Sequence, residues 1–271
     1  MCRYSPSHQG HFGVIQLALP VFHIGYFKLM ITVLQNICKT CAHVLVEDNV
    51  KRSHLKRLRV PTLDGIRRRE ILKALNLLCK KTSVCPHCAA INGMVKKVGA
   101  LKVIHEKFKK KHKTEEEAQF RKSFDVQVAL EPYLKTYVGR AQEDLNPLVV
   151  QSLFERISAE DCELMGLDPK QSRPELFIWS AFPIPPACIR PSVGQENSSV
   201  EDDLTVLASE IVDINAKIKA CMEDGTQSSL LMEYWDFMQL QCAMYITSDL
   251  PGIPSHLQGV IVFLTIEFTK D

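Results

Sequence analysis

What is scarce in these 271 residues narrows the field first. No long uninterrupted apolar run occurs. The longest apolar stretch, residues 14–37, is broken by Pro20, His23 and Lys28. It does not read as a membrane span, so no membrane partner is expected. The N-terminus has no basic segment followed by an apolar core and a cleavage site, so ten cysteines point to a reducing compartment. No HExxH pattern is present, which removes the usual zinc hydrolase. Val138-Gly139-Arg140 lacks the glycine spacing and the lysine of a phosphate loop. Net charge is only +2, but it is unevenly spread. Residues 51–69 hold eight Lys/Arg against Asp64, and residues 96–113 hold eight Lys against Glu106.

Two cysteine pairs stand out against these absences. Cys38-Lys39-Thr40-Cys41 and Cys85-Pro86-His87-Cys88 each place two thiols three positions apart. One tight turn can aim both sulfurs at a common point, and two such turns facing each other make a closed tetrahedral zinc site. Such a site is a fold staple, because no coordination position stays open for water or substrate. In small zinc domains the metal contributes about 10–16 kcal/mol. The wide gap from Cys41 to Cys85 leaves other readings open: a redox pair, disulfides, or unrelated buried thiols. His87, inside the second pair, is read as a bystander. Cys79 is read as a helix-face residue, and His105 and His112 as solvated.

Periodicity predicts an α+β chain, mainly helical. Residues 14–17 look like a strand stopped by Pro20, and residues 26–36 like a helix leading into the first cysteine pair. A helix is predicted over 62–80, with Ile66, Ile71, Leu72, Leu75 and Leu78 on its apolar face. Residues 95–104 read as strand, and 114–139 as a helical stretch interrupted near Pro132. Asn146-Pro147 marks a helix start. Ser158 opens a second short helix with an acid in the capping-box position, stopped at Gly166. Residues 176–182 suggest a buried strand. Residues 183–191 carry four prolines and are expected to be a stiff irregular loop, continued by a flexible stretch over 192–199.

The strongest periodicity comes next. Leu204, Leu207, Ile211, Ile214, Ile218 and Cys221 are spaced alternately three and four apart, and so are Leu231, Trp235, Met238, Cys242 and Tyr245. With only a short turn between, two antiparallel helices should form a coiled-coil hairpin with free outer faces.

These segments resemble a known family. Gly10-His11-Phe12-Gly13, residues 19–27, 37–41, 153–167, 182–192 and 201–205 are similar, in the same order, to the N-terminal clamp region of the largest subunit of multi-subunit RNA polymerases. Cys85-Pro86-His87-Cys88 is most similar to the nuclear polymerase III form. The resemblance runs from about residue 8 to 258. It implies a zinc-stapled clamp head over residues 1–180, with Cys38, Cys41, Cys85 and Cys88 as ligands of Zn2+. It implies a lid-like proline-rich loop over 181–200 that helps part RNA from the template. A hairpin over 201–248 would dock initiation factors, with Lys217, Lys219, Glu223 and Asp224 as partner-binding candidates. Arg190 and the run Lys109, Lys110, Lys111 are candidates for nucleic-acid contact. Expected partners are the other polymerase subunits, initiation factors, template DNA and nascent RNA, in the nucleus. The alternative is a non-catalytic module that binds transcription factors through its coiled coil.

Two departures from the family pattern stand out. An earlier zinc site of the form Cys-x2-Cys-x6-Cys-x2-His keeps only His11 in its histidine position. His8 stands where the third cysteine belongs, Met1 falls on the second, and Cys2 is out of register. That site is expected to be absent or degraded. The family's aspartate cluster for Mg2+ is missing, so no catalytic residue is expected and the chain should be inert alone. Residues 249–271 are expected to be a tail unlike the family's continuation, which from 259 onward resembles a truncated or mis-spliced product.

Overall fold

The structure is a computed structural model. It describes residues 10–107, 115–130, 142–195, 198–247 and Leu250. His8, Lys109, Lys110, Lys111, His112 and residues 251–271 lie outside these. The fold mixes helix and sheet, and the chain divides into two compact units.

The first unit comprises the described residues of Met1–Gly25, Gly99–Leu101 and Ile178–Asp271. Strand β1 (Gly13–Phe22) pairs antiparallel with β5 (Ile178–Ile184). Pro20 does not stop β1 as expected. The register shifts between Gln16 and Val21 instead. Proline has no N–H to lose from the ladder, so an irregularity is where a strand can hold it. The backbone groups there find side-chain partners. Ala18 N–H donates to Asn215 Oδ1 at 2.7 Å, and Pro20 O accepts from Trp235 Nε1 at 2.8 Å.

Those two side chains sit on helices α7 (Asp203–Glu223) and α8 (Ser228–Ile246). The helices are joined by the turn 224–227, where Gly225 has φ 64°. They pack against one another and against β1. The residues of the three-four spacing face inward: Leu207, Ile211, Ile214, Ile218, Trp235, Met238, Cys242 and Tyr245 are buried with Leu19, Val21, Phe182 and Ile184. The apolar seam is therefore shared with the sheet rather than confined to the two helices. The proline-rich stretch is also more regular than expected. β5 runs through Pro183, a short 3-10 turn spans Ala187–Ile189, and β6 (Val193–Gln195) pairs with β7 (Ser198–Val200).

The second unit comprises Tyr26–Val98 and the described residues of Lys102–Phe177. Its frame is α1 (Phe27–Asn36), α2 (Asp48–Leu58) and α3 (Gly65–Lys81). Of the apolar face expected on α3, Ile71 and Leu75 are buried together with Cys79, whereas Ile66 and Leu78 are exposed. Helix α2 was not expected. Its dense basic side chains masked a narrow stripe of His54, Leu55 and Leu58. Residues 95–104 form a hairpin, not one strand: β2 (Met94–Val98) turns at Gly99, φ 61°, into β3 (Lys102–Glu106). Strand β4 (Gln142–Asp144) completes a three-stranded sheet. Helix α4 (Glu115–Leu130) lies between β3 and β4 in sequence.

Helices α5 (Pro147–Glu155) and α6 (Ala159–Leu164) start where the caps place them. Asn146 Oδ1 accepts from Val149 N–H, and Ser158 Oγ accepts from Asp161 N–H. The acid expected to close a capping box, Asp161, instead turns its buried carboxylate to Lys51 Nζ at 2.8 Å and His43 Nδ1 at 3.5 Å. An unpaired buried carboxylate is costly, so a charged partner wins over a local cap. Gly166, φ 82°, ends the segment.

Candidate metal centre

Two helix ends build the site. Helix α1 ends at Asn36 and helix α3 at Lys81, and each leads within a few residues into a cysteine pair. The helices pack together, and Asn36 Nδ2 donates to Asn76 Oδ1 between them. Packing two helices so that their last turns meet brings thiols 44 to 50 positions apart in sequence to one place.

The two turns are copies of each other. In the first, Cys38 N–H donates to His43 O and Ala42 N–H to Cys38 O. In the second, Cys85 N–H donates to Ala90 O and Ala89 N–H to Cys85 O. A single β-bridge closes each, Ile37 to Val44 and Val84 to Ile91. The residue after each pair is an alanine in the left-handed region, Ala42 at φ 62° and Ala89 at φ 58°. Such a backbone is strained for a residue with a Cβ, yet both turns use it to fold the chain back over the thiols.

The four sulfurs of Cys38, Cys41, Cys85 and Cys88 lie within 4.8 Å of one another. Cys38 Sγ is 3.6 Å from Cys88 Sγ, and Cys41 Sγ is 3.6 Å from Cys85 Sγ. A tetrahedron with Zn–S of about 2.3 Å has sulfur–sulfur edges of about 3.8 Å. A disulfide would need about 2.05 Å, and all four thiols are free. The donor set and its spacing therefore fit a tetrahedral thiolate-bound metal. Among the described residues no other group of metal-ligating side chains converges this way.

Electrostatics agree. Burial works against ionising Cys38, but the N–H groups of Cys41 and Thr40, the Asn92 amide and the Cys88 thiol outweigh it and bring the thiol down to about 6. Burial pushes Cys41 and Cys85 upward, and their sulfur neighbours add to this at Cys41. Four thiols cannot all ionise in so small a space without a cation. Zinc would supply two positive charges and a closed shell, hence a structural role rather than a reactive one.

Around the thiols stand residues that sequence spacing did not reveal. Asn92 is buried, and its Nδ2 donates to Cys38 Sγ at 3.3 Å. Lys39 Nζ donates to Ile37 O, and burial brings that ammonium down to about 8. Arg156 donates to Thr40 O at 2.9 Å, joining the first turn to the end of α5. The signal for Asn92 was one polar residue in an apolar context four positions after Cys88, which is too common to single out.

The other candidate residues are dispersed. His11 is exposed in the first unit. Arg190 donates through Nε to Pro185 O and through one terminal nitrogen to Thr205 Oγ1, both at 3.1 Å. Lys217, Lys219, Glu223 and Asp224 are exposed at the end of α7. Several cations of the basic runs have local partners: Lys51 pairs with Asp161, Lys96 with Glu106 and Lys102 with Asp144. His105 is buried, not solvated.

Comparison with known proteins agrees with these features. The family described as RNA polymerase Rpb1, domain 1, matches residues 2–260. The DNA-directed RNA polymerase III subunit rpc1 of Schizosaccharomyces pombe is 52% identical over 90% of this chain and 17% of its own length. The human subunit RPC1 is 43% identical over 92% of this chain and 18% of its own length. The subunit Rpo1N of Methanocaldococcus jannaschii is 28% identical over 90% of this chain. The chain thus spans less than a fifth of the length of these relatives. A family match over nearly the whole chain and identities near one half in polymerase III subunits lead to one assignment: the chain belongs to the largest-subunit family of DNA-directed RNA polymerases, in its polymerase III form, and carries that family's first domain.

Proposed function

We propose that this chain is the clamp portion of the largest subunit of nuclear RNA polymerase III. The observation that carries the reading is the convergence of Cys38, Cys41, Cys85 and Cys88 within 4.8 Å in a chain of this family. In this reading residues 1–180 are a zinc-bound clamp head, residues 181–200 a lid-like loop, and residues 201–248 a coiled-coil hairpin. The zinc holds the two turns together and takes no part in a reaction. Nucleotide transfer belongs to Mg2+ held elsewhere in the parent enzyme, and this chain alone is inert. Its partners are the other polymerase subunits, template DNA and nascent RNA, and initiation factors.

The exposed cations best suited to phosphate attraction are Arg52, Lys56, Arg57, Arg67, Arg68 and Arg69 on α2 and α3, since Lys51 and Arg59 are already paired. Contacts of this kind weaken steeply with salt and do not read sequence. Initiation factors would dock at the end of α7, where Lys217, Lys219, Glu223 and Asp224 are exposed.

The test is duplex DNA binding by the full chain across a salt titration, run beside capture of initiation factors. Binding that falls steeply between 50 and 200 mM salt, by a factor of about ten or more, and falls further when Arg67, Arg68 and Arg69 are replaced by Gln, supports the clamp reading. No DNA affinity with factor capture retained supports a pure interaction module instead.

A further inference from the structure

Asn92 bonds to both cysteine turns of the metal centre. Its side chain is 3% exposed. Nδ2 donates to Cys38 Sγ at 3.3 Å and to Ala90 O at 3.1 Å. Oδ1 accepts from Lys39 N–H at 3.0 Å, and the backbone N–H donates to Ser83 O at 2.8 Å. The side chain therefore bonds the first turn at two points and the second turn at one. Both amide hydrogens are used, and the amide is held from behind. The next residue, Gly93, donates its N–H to His105 Nε2 at 2.8 Å. A Cβ at Gly93 would lie 1.7 Å from Glu106 O, so the backbone beside Asn92 has little room to move.

We propose that Asn92 is the positioning residue of the metal centre. It braces the two cysteine turns against each other before metal arrives, and it withdraws charge from the Cys38 sulfur once metal is bound. This inference rests on the zinc reading given above. The physical reason is twofold. Two half-sites carried on separate helix ends lose less entropy on closing around an ion when a polar bridge already sets their spacing. An N–H donor to a buried thiolate lowers the electron density on that sulfur. Partners in this outer layer commonly alter metal affinity by about 10–100-fold when removed. The Thr40 N–H, at 3.4 Å from Cys38 Sγ, and the Cys41 N–H also serve that sulfur, but both come from within its own turn. Besides the sulfurs and the His43–His87 ring contact, Asn92 reaches from one turn to the other through its side chain.

Two substitutions in the full chain separate the two effects. Asn92→Asp keeps the acceptor for Lys39 N–H and removes the donors to Cys38 Sγ and Ala90 O. Asn92→Leu removes all three bonds. Three readouts are taken: bound zinc, the rate of zinc transfer to a chromogenic chelator, and the sulfur-to-metal charge-transfer band after cobalt substitution. Faster zinc transfer, by about tenfold or more, and a charge-transfer band moved to longer wavelength in Asn92→Asp support the proposal. A merely structural role would not shift that band in a variant with unchanged far-ultraviolet circular dichroism. If Asn92→Leu fails to fold, Asn92→Asp decides alone. Transfer rates within twofold of the parent chain and an unmoved band overturn the role of Asn92 while leaving the zinc centre standing. A parent chain that binds neither zinc nor cobalt overturns both.

Discussion

Buried His105 is tied to the exposed carboxylate of Glu143 across two strands. Nδ1 of the imidazole donates to the Glu143 carboxylate at 2.8 Å, because Nε2 is occupied as acceptor of the Gly93 N–H. The ring is thus held as one neutral tautomer. Burial lowers its pKa, against the pull of Glu143. The Glu143 carboxyl is lowered by its bond to His105. Both depressed values act in one direction. The unfolded chain takes up protons that the folded one refuses, so stability present at neutral pH falls as pH drops below about 6.5, and further near pH 4.5. The stability difference between the parent chain and His105→Gln should therefore shrink from pH 7.5 to pH 5.5 in thermal melts. A gap that stays constant would show that this pair does not govern the response.

Glycine substitutions divide sharply. At Gly93 a Cβ would lie 1.7 Å from Glu106 O, a backbone atom that cannot swing aside. Gly93→Ala should abolish the β2–β3 hairpin and yield insoluble chain. At Gly65, the first residue of α3, nothing lies within 4 Å. Gly65→Ala should be neutral or stabilise by about 0.4–1 kcal/mol through the unfolded state. Soluble expression and melting temperature of the two variants check this.

The twin alanines make a finer comparison. A left-handed alanine costs about 1–2 kcal/mol, and replacing it by glycine returns part of this as lost unfolded-state restriction, about 0.4–1 kcal/mol. Ala89 is exposed, so Ala89→Gly should stabilise by a few tenths of a kcal/mol to about 1. Ala42 is fully buried, and losing its methyl packing should cancel the gain. Urea unfolding of the two variants gives the contrast, and equal shifts would mean that left-handed strain is not shared as described.

Cysteine replacement tests the centre directly. Serine at any one of Cys38, Cys41, Cys85 or Cys88 should drop zinc content well below one per chain and sensitise the chain to chelators. Serine at Cys242, buried between α7, α8 and the sheet, should leave zinc content unchanged while lowering stability. Metal analysis after dialysis distinguishes these outcomes.

Much of the architecture was legible in residue patterns, for identifiable reasons. The three-four spacing along α7 and α8 predicted which side chains turn inward, because a helix with a regular apolar stripe has one place to bury it. The caps at Asn146 and Ser158 are local chemistry and needed nothing distant. The two thiol pairs were visible in sequence, but the wide gap between them left a shared site, disulfides and unrelated thiols all open, and the fold brings the four together. Missed features depend on contacts from elsewhere in the fold. Pro20 reads as a stop because its missing N–H is a local fact, while the groups that relieve β1, Asn215 and Trp235, lie 197 and 215 positions from the atoms they bond. His105 was read as solvated because its neighbours are lysines, whereas strand geometry turns it inward toward Gly93. Asp161 was read as a cap because Lys51 is remote in sequence.

The bonds from β1 to α7 and α8 span 197 and 215 positions. At ribosomal speeds of about 5–20 residues per second, β1 leaves the tunnel about 10–40 s before its last partner is made. Until β5, α7 and α8 have all been made, its native cover is incomplete. An N-terminal strand that must wait for the far end of its own unit makes nascent chains of this sequence natural clients for chaperones, and premature termination before α8 leaves them without the partner that would release them.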